Sequence, residues 1–354
     1  MSSLQIKLPI RKGNFALNLD LVFPIEGVTA IFGPSGSGKT SLLRAIAGLD
    51  KHTGGSIKFA NDVWQDSRVF TPVHKREIGY VFQEDNLFSH LSVKDNLLYG
   101  TKRAGTDTHT LDHIIEMLQL RNLLDRKANQ LSGGERQKVA IARALAIKPK
   151  LLLMDEPLAA LDHTFKQEFL PRLKLLVEEL RLPLIYVSHS SEEVAQLADN
   201  LVLLDKSGTA SYGPIAKMLT DPHEVLAHRQ EAESIISAEV AAYDADYEML
   251  TLQFSGQKIF VSGKQMPVGA SVRLRVLAQD ISVTLSPQQG TSILNIFRVT
   301  ITEIFPFSTA HDTLLLDLAG TPLLARITRK SKDLLGLKTG QDVFAQIKSV
   351  AIAQ

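Results

Sequence analysis

Hydrophobic and polar positions divide the chain into two parts with different periodicities. Up to about residue 230, short apolar runs bounded by turn or charged residues alternate with segments of helix length. The runs at residues 28–32, 151–154 and 184–187 are typical of buried parallel strands. The helix-length segments at 40–47 and 135–147 stop at a glycine or shortly before a proline. This part predicts an α/β domain with a largely parallel sheet.

Beyond about residue 235 the pattern changes to β-type segments joined by turns that contain glycine. Residues 249–254 and 258–261, for example, flank a Ser-Gly turn. A weak internal repeat relates residues 268–283 to residues 339–353, because each has a glycine before alternating apolar residues and ends on another short strand. Chance similarity between short strands is an alternative explanation. The pattern predicts two related small β units, of the OB type.

Composition and charge exclude several classes of protein. The 354 residues are 44% apolar and 22% charged, as in a soluble globular protein of about two domains. The net charge of +1 argues against a surface built to hold nucleic acid, and the absence of cysteine excludes disulfides and thiolate sites. No apolar run approaches the roughly 20 residues that cross a bilayer, and the first residues lack a signal peptide's apolar core. We expect a cytoplasmic chain that reaches a membrane only through a partner.

The sequence "GPSGSGKT" at residues 33–40 carries the first chemical signal. It fits G-x-x-x-x-G-K-[ST] and lies between the strand-like "VTAIF" and a helix. The alternative is an ordinary glycine turn before a helix, and the preceding strand favours the phosphate-binding loop over it. Its lysine supplies charge to the β and γ phosphates of a nucleotide, and its threonine hydroxyl can bind Mg²⁺. The predicted phosphate-binding residues are Gly33, Pro34, Ser35, Gly36, Ser37, Gly38, Lys39, Thr40 and Ser41.

The sequence "LLLMDEP" at residues 151–157 carries the second chemical signal. Four apolar residues deliver Asp155 to the carboxyl end of a buried strand, where α/β sheets place ligands. Asp155 there can hold Mg²⁺, and Glu156 can polarise a water that attacks the γ-phosphate. On its own, such a pair is more often a solvated start of a loop, but the Lys39 loop in the same domain favours the catalytic interpretation.

Three further residues follow strands or turns in the same domain. Gln83 follows "IGYVF" and could contact both the metal and the attacking water, while His189 follows "LIYVS" and could bond a γ-phosphate. Asp162 closes the turn after Glu156, where its ordinary role would be the N-cap of the next helix. The segment "LSGGERQ" at residues 131–137 has the glycines and helix start of a second phosphate-binding element.

In this order, these elements resemble the ATP-binding subunits of ABC transporters over about residues 1–230. The resemblance implies a P-loop NTPase fold with a helical subdomain that binds ATP and Mg²⁺ and hydrolyses the ATP. It also implies a head-to-tail homodimer, or pairing with another chain, because only one cassette is present. Gln83 and His189 would then join Glu156 in catalysis. The residues predicted to meet the ATP of the other chain are Ser132, Gly133, Gly134 and Asp162.

An importer is favoured over an exporter because no membrane segment is fused to the chain. The apolar-rich segment at residues 84–100 resembles the importer groove that accepts a permease helix, although packing inside the helical subdomain is the alternative. The resemblance implies permease subunits as partners, an external oxyanion-binding protein indirectly, no nucleic acid, and a peripheral position at the cytoplasmic face of the inner membrane. The adenine-stacking position falls near Arg11, with Phe15 the nearest aromatic residue.

Residues 291–354 are similar to the Mop domain of molybdate-binding proteins and of molybdate-importer ATPases, chiefly in "TSILN" and "IKSVAI". The resemblance implies molybdate, or tungstate of nearly equal size and charge, as the transported anion. Hydroxyls and one cation suit such a dianion, and the candidates are Thr291, Ser292, Lys348 and Ser349. A dimerising β-barrel without a ligand is the alternative.

These observations predict three domains: an ABC ATPase domain at 1–230, an OB-like unit at 235–290 and a Mop-like, all-β domain at 291–354. Two other functions stay open. An importer for sulfate, sugar, polyamine or iron also carries OB-like C-terminal domains. An oxyanion-sensing regulatory protein would leave Glu156 and "LSGGERQ" without a purpose.

Overall fold

A computed structural model describes residues 3–12, 15–104, 108–206 and 208–353 of the chain. It divides into two compact units, residues 1–213 and residues 214–354. None of the helices in the described ranges combines the length and the apolar character that spanning a bilayer requires.

The first unit is an α/β structure, as the alternation of apolar runs and helix-length segments predicts. Its buried strands carry apolar residues throughout, because both faces of a parallel sheet are covered. In chain order the elements are β1 (Ser3–Lys12), β2 (Phe15–Pro24), β3 (Val28–Phe32), α1 (Lys39–Ala47), β4 (Ser56–Phe59), β5 (Asp62–Gln65), β6 (Ile78–Val81), α2 (Val93–Ala104), α3 (Thr108–Met117), α4 (Gly133–Leu145), β7 (Leu151–Asp155), α5 (His163–Glu179), β8 (Leu184–Ser188), α6 (Ser191–Leu197), β9 (Asn200–Leu204) and β10 (Ala210–Pro214).

Two sheets form this unit. One is antiparallel in the order β2-β1-β4-β5, and the other has the order β10-β9-β3-β8-β7-β6, parallel from β9 to β6. Alternate residues of β7 enter two different cores: Leu153 packs with α1 and the antiparallel sheet, while Met154 packs with α4 and α5. The parallel sheet is therefore covered on both faces, and its parallel strand pairs place their carboxyl ends at one edge.

The apolar segment at residues 84–100 divides between core and surface. Leu97 is buried and Leu87 packs on the same core, as the packing alternative predicts. Leu98 and Tyr99 remain 37% and 64% exposed, and the Tyr99 ring lies 4.4 Å from that of Phe88. Part of this segment is thus a surface with apolar character.

The second unit is mainly antiparallel β-structure. Its strands alternate buried and exposed residues, the pattern of sheets with one face on a core. Its elements are α7 (Ile215–Thr220), β11 (Glu233–Asp244), β12 (Met249–Phe254), β13 (Gln257–Ser262), β14 (Ser271–Leu277), β15 (Ile281–Thr284), β16 (Asn295–Pro306), β17 (His311–Leu318), β18 (Thr321–Thr328), α8 (Arg329–Leu335), β19 (Asp342–Ile347) and β20 (Ala351–Ala353).

The weak internal repeat corresponds to a duplicated arrangement of strands. One sheet has the order β13-β12-β11-β14-β20 and the other β18-β17-β16-β19-β15, so β11 to β14 match β16 to β19 in order. The fifth strands are exchanged, since β20 pairs with β14 and β15 pairs with β19. The long strands β11 and β16 each contain a bulge near the middle. Chance similarity does not account for two sheets with the same strand order.

Candidate nucleotide-binding site

Four neighbouring parallel strands end at one edge of the large sheet, and each delivers predicted site residues there. Phe32 at the end of β3 pairs with Ser188 at the end of β8, and Asp155 at the end of β7 pairs with Val187 of β8. β6 lies beyond β7. The sheet therefore brings the loop at residues 33–38, His189, the Asp155-Glu156 pair and the segment after β6 to the same edge.

The loop at residues 33–38 has the backbone of a phosphate cradle. Gly36 and Gly38 have φ values of 82° and 94°, a left-handed conformation that glycine adopts readily. A Cβ on Gly33 would lie 2.3 Å from the Leu204 carbonyl oxygen, so the close approach also requires glycine. No side chain caps α1, and its first turn carries no acidic residue, which suits an anion at its N-terminus. Residues 35, 36, 38–41 and 156 line the resulting pocket.

Lys39 is buried and held against its own loop. Its Nζ donates to the Gly33 carbonyl at 2.9 Å and to the Pro34 carbonyl at 3.1 Å, and it lies 3.8 Å from Glu156 Oε1. The buried Ser37 Oγ has no hydrogen-bond partner among the described residues. The loop thus offers a positive charge at the point where a phosphate would enter, while the Ser37 hydroxyl is buried and does not line the pocket.

Asp155 is a buried carboxylate between two hydroxyl donors. Thr40 Oγ1 donates to Oδ1 at 3.0 Å, and the Tyr80 hydroxyl donates to Oδ2 at 3.3 Å. Burial raises the pKa of Asp155, and it also raises the pKa of Tyr80. Sequence reasoning missed Tyr80, although its place on β6, beside β7, could have indicated a contact with the Asp155 side chain.

Oxygen atoms of this kind suit Mg²⁺, which prefers one or two protein ligands with phosphate and water completing its shell. Thr40 and Asp155 provide such a pair side by side. Among the described residues, no three acidic, histidine or cysteine side chains converge on a point that could hold a metal. The donor set therefore fits a metal held jointly with a nucleotide better than one held by protein alone.

Glu156 turns sharply out of the sheet. Its φ of 45° lies in the left-handed region, which a residue with a Cβ adopts rarely and at an energetic cost, and its N–H donates to the Val187 carbonyl at 3.0 Å. The carboxylate reaches His189, with 3.1 Å between Oε2 and Nδ1. Lys39, Glu156 and His189 thus form a chain of contacts along the edge. Gln83 is exposed, two residues beyond β6 at the same edge.

The segment "LSGGERQ" at residues 131–137, which we call the signature segment, does not line the pocket of its own chain. Ser132 caps α4, accepting from Glu135 N at 3.3 Å, while Glu135 Oε2 accepts from Ser132 N at 2.7 Å. This bond from the Ser132 N–H lowers the pKa of Glu135. A Cβ on Gly134 would lie 2.6 Å from the Phe165 ring of α5. Asp162 caps α5 through Phe165 N at 2.8 Å, the ordinary role expected for it.

In the second unit the four candidate oxyanion residues lie at one end of a sheet. Thr291 and Ser292 precede β16, Lys348 and Ser349 follow β19, and the two strand ends are adjacent because Asn295 pairs with Ile347. All four side chains are exposed.

Sequence reasoning missed the role of Asn295. Its Oδ1 accepts from Phe260 N and its Nδ2 donates to the Phe260 carbonyl, both at 2.8 Å. The contact joins β16 to β13 of the other sheet, and its separation of 35 residues leaves no local signal. Of the two adenine candidates, Arg11 is exposed near the end of β1, and the side chain of Phe15 lies outside the described residues.

Comparisons with known proteins agree with this geometry. The family model described as ABC transporter matches residues 17–159, and the model described as TOBE domain matches residues 291–354. A solved ATP-binding cassette of an ABC transporter in its ADP conformation is 26% identical, with a TM-score of 0.53, and covers 64% of this chain and 97% of that one. The prediction of an ABC ATPase fold followed by an all-β domain is confirmed.

Three curated relatives extend over nearly the whole chain, and each is named molybdenum import ATP-binding protein ModC. The protein from Aromatoleum aromaticum is 48% identical over 96% of this chain and 91% of its own length. The one from Pseudomonas fluorescens is 47% identical over 99% of both, and that from Methylococcus capsulatus is 44% identical over 100% of both. The chain belongs to the ModC family of ABC-transporter ATP-binding proteins.

Proposed function

We propose that this chain is the ATP-hydrolysing subunit of a molybdate importer, acting as a dimer on a membrane permease. The observation that carries the proposal is the contact chain from Lys39 through Glu156 to His189 beside the Thr40–Asp155 pair, in a chain similar to ModC proteins end to end. An oxyanion sensor without ATPase activity would not need a strained Glu156 at this edge.

The residues at 33–41 would bind the phosphates of ATP through backbone N–H groups and Lys39. Phosphate oxygens compete with the Gly33 and Pro34 carbonyls and with Glu156 for the Lys39 ammonium. Binding therefore loosens the contact between Lys39 and Glu156 and frees the carboxylate. Thr40 and Asp155, with Gln83, would hold Mg²⁺, which neutralises charge on the phosphates when it is bound.

Glu156 is placed to accept a proton from the attacking water. The water oxygen bonds to the γ-phosphorus, the bond from that phosphorus to the bridging oxygen of ADP breaks, and Glu156 takes the water's proton. His189 orients the Glu156 carboxylate through the 3.1 Å contact and is close enough to the edge to donate to the γ-phosphate. The Glu156 carboxylate contacts His189 and Lys39, whereas Asp155 bonds Thr40 and Tyr80, so the proton acceptor and the metal ligand have different partners.

Ser132, Gly133, Gly134 and Asp162 would contact the ATP bound by a second copy of the chain. The Ser132 hydroxyl accepts from Glu135 N and also bonds the Glu135 carboxylate, so a phosphate would compete with that carboxylate for the hydroxyl proton. Packing of Gly134 on Phe165 ties this loop to the helix that Asp162 caps, so both could approach the second site together.

The exposed part of the 84–100 segment would receive the permease at the cytoplasmic face of the membrane, and an external oxyanion-binding protein would act through the permease. The exposed Leu98 and Tyr99 support this assignment. In the second unit, which we call the tail, molybdate or tungstate would bind to Thr291, Ser292, Lys348 and Ser349. The hydroxyl groups and the ammonium group of these residues are exposed and can reach a ligand.

The test is uptake into vesicles that contain the permease and this chain. We expect ATP-dependent uptake of molybdate and tungstate, with sulfate excluded.

Glu156→Gln should reduce ATP turnover by about 10²- to 10⁴-fold, the range of a general base, and hold the chain as a dimer in ATP and Mg²⁺. The matched control is Glu192→Gln, a nearby carboxylate on α6, which should leave turnover unchanged. Uptake of sulfate in place of molybdate would contradict the proposed cargo, and normal turnover by Glu156→Gln would remove its role.

A further inference from the structure

Two arginines of α4 hold the chain segment that follows Gln83. Arg136 and Arg143 are seven residues apart, which is two turns and therefore one face of a helix. Arg136 Nε lies 2.7 Å from Asp85 Oδ2, and Arg143 Nη2 donates to the Asn86 carbonyl at 3.0 Å. We call these four residues the clasp.

The clasp also reaches the start of the signature segment. Arg136 Nη1 donates to the Leu131 carbonyl at 2.8 Å, one residue before the cap Ser132. A single guanidinium thus joins the chain after Gln83 to the loop before the signature glycines. Its planar, fixed donors suit two simultaneous partners, which a lysine could not reproduce.

Further bonds make the surrounding segment rigid. Asn96, which is buried, bonds both the N–H and the carbonyl of Phe88, at 3.0 and 3.1 Å. Val93 N donates to the Arg126 carbonyl at 2.8 Å, and Ala128 N donates to the Leu91 carbonyl at 3.3 Å. Residues 85–96 are therefore fastened to residues 126–131, whereas Gln83 and Glu84 are exposed between β6 and this fastened segment.

We propose that the clasp couples the two ATP sites of the dimer. The inference rests on the proposed function, in which Gln83 meets the ATP of its own chain and Ser132, Gly133 and Gly134 meet that of the partner. A displacement of Gln83 is passed through Asp85 and Arg136 to the signature loop of the same chain, and so to the other ATP. Asp85 and Arg136 touch neither nucleotide and act as positioning residues.

The experiment is a double-mutant cycle with Asp85→Asn and Arg136→Gln in the full chain with its permease. Each variant should lower the Hill coefficient of ATP hydrolysis from about 2 toward 1, because two sites no longer communicate. The maximal rate should fall about fivefold or more, the lower end of typical coupling between sites. The double variant should be no worse than Arg136→Gln alone, because Arg136→Gln already removes the contact with Asp85 as well as that with Leu131. Arg136→Lys should restore only part of the cooperativity.

Controls separate coupling from stability. Asp125→Asn removes an exposed charge outside the clasp and outside the 84–100 segment, and should leave the Hill coefficient and melting temperature unchanged. If the clasp variants lose cooperativity while melting like the parent chain, a purely structural role is excluded. Unchanged cooperativity in Asp85→Asn and Arg136→Gln overturns the inference, as does a loss of activity that only follows a lower melting temperature.

A further measurement distinguishes failure of the inference from failure of the proposed function. In Glu156→Gln, ATP and Mg²⁺ should produce a dimer whose formation depends cooperatively on ATP. If Glu156→Gln forms no dimer, the proposed function and the clasp inference both fall. If it forms one, and adding Asp85→Asn leaves the ATP dependence equally steep, only the clasp inference falls.

Discussion

The two copies of the strand unit in the tail share a topology but use the same position in opposite ways. In the first copy, residues 278–280 connect β14 to β15, and in the second, residues 348–350 connect β19 to β20. Ala278 is fully buried in a small apolar cluster with Ala232 and Leu324, and its N–H donates to the Ala232 carbonyl at 2.8 Å. Lys348 is exposed.

The difference shows that two copies of one strand arrangement can serve two purposes: the first connector adds to the apolar core, and the second presents exposed side chains. Covering the first connector with apolar residues adds to the core, at about 25 cal/mol for each Å² of apolar surface removed from water. In the second connector Val350 packs against the core, whereas Lys348 and Ser349 are exposed, so the side chains of these two residues are available for a ligand. The candidate oxyanion residues therefore belong to the second copy alone, although the strands of both copies would support them.

The largest expected effect comes from giving the first connector the residue of the second. Ala278→Lys would place an ammonium group in the apolar cluster, where desolvation costs several kcal/mol per ion. We expect the free energy of unfolding of the tail to fall by about 3–5 kcal/mol. Chemical denaturation followed by a spectroscopic signal from the tail would measure it. The reverse change, Lys348→Ala, should stay within about 0.5 kcal/mol of the parent chain.

Equal stability of Ala278→Lys and Lys348→Ala would contradict the comparison, since it would mean that both connectors face solvent. A loss confined to Ala278→Lys would establish that only the first connector belongs to the core.

Asn295 tests whether the start of the second copy is structural or ligand-binding. Asn295→Ala would leave the Phe260 N–H and carbonyl without their 2.8 Å partners. The two bonds are part-buried and Phe260 is 36% exposed, so we expect a loss of about 1–3 kcal/mol in the same denaturation experiment, at about 0.5–1.5 kcal/mol for each bond. Thr291→Ala, four residues earlier and exposed, should change stability by less than about 0.5 kcal/mol. A stable Asn295→Ala that no longer binds molybdate would instead assign Asn295 to the ligand site.

Asn295 also marks the limit of what the sequence predicts. The phosphate loop, Asp155 and Glu156 could be located because their chemistry depends on a few adjacent residues at the end of a buried apolar run. The contacts of Asn295 with Phe260, of Tyr80 with Asp155 and of Arg136 with Asp85 join residues 35 to 75 positions apart. Such pairs depend on strand order and on helix packing, which periodicity does not fix.

Element boundaries show the same limit on a smaller scale. The strand predicted at 28–32 has its observed bounds, because a glycine flanks it on each side. The helix predicted at 135–147 instead runs from Gly133 to Leu145. The capping box of Ser132 and Glu135 starts it earlier, before any apolar position reveals the helical period.

The exposed connector should respond in binding rather than in stability. Lys348→Gln removes the only cation among the four candidate residues, and a charge-assisted hydrogen bond contributes about 1.5–3 kcal/mol. We expect the affinity of the full chain for molybdate and tungstate, measured by titration calorimetry, to fall about 10- to 100-fold. Lys330→Gln, an exposed lysine at the start of α8, is the matched control. Equal binding by both variants would remove Lys348 from the proposed site.

Asp155 shares one feature with each connector, because it is polar like Lys348 and buried like Ala278. Its substitution gives the smallest expected effect. Burial raises its pKa above the unfolded value, so folding penalises its charged form. This penalty is absent when the carboxyl is protonated in both states, and it develops as the pH rises through the folded pKa. Asp155→Asn should therefore stabilise the nucleotide-free protein at neutral pH, by about 0.5–1.5 kcal/mol, and not in acid. Melting curves at the two pH values would measure the difference, with the exposed Asp62→Asn as a control that shows none. A gain that persisted in acid would mean that packing, and not the buried charge, limits stability at this edge.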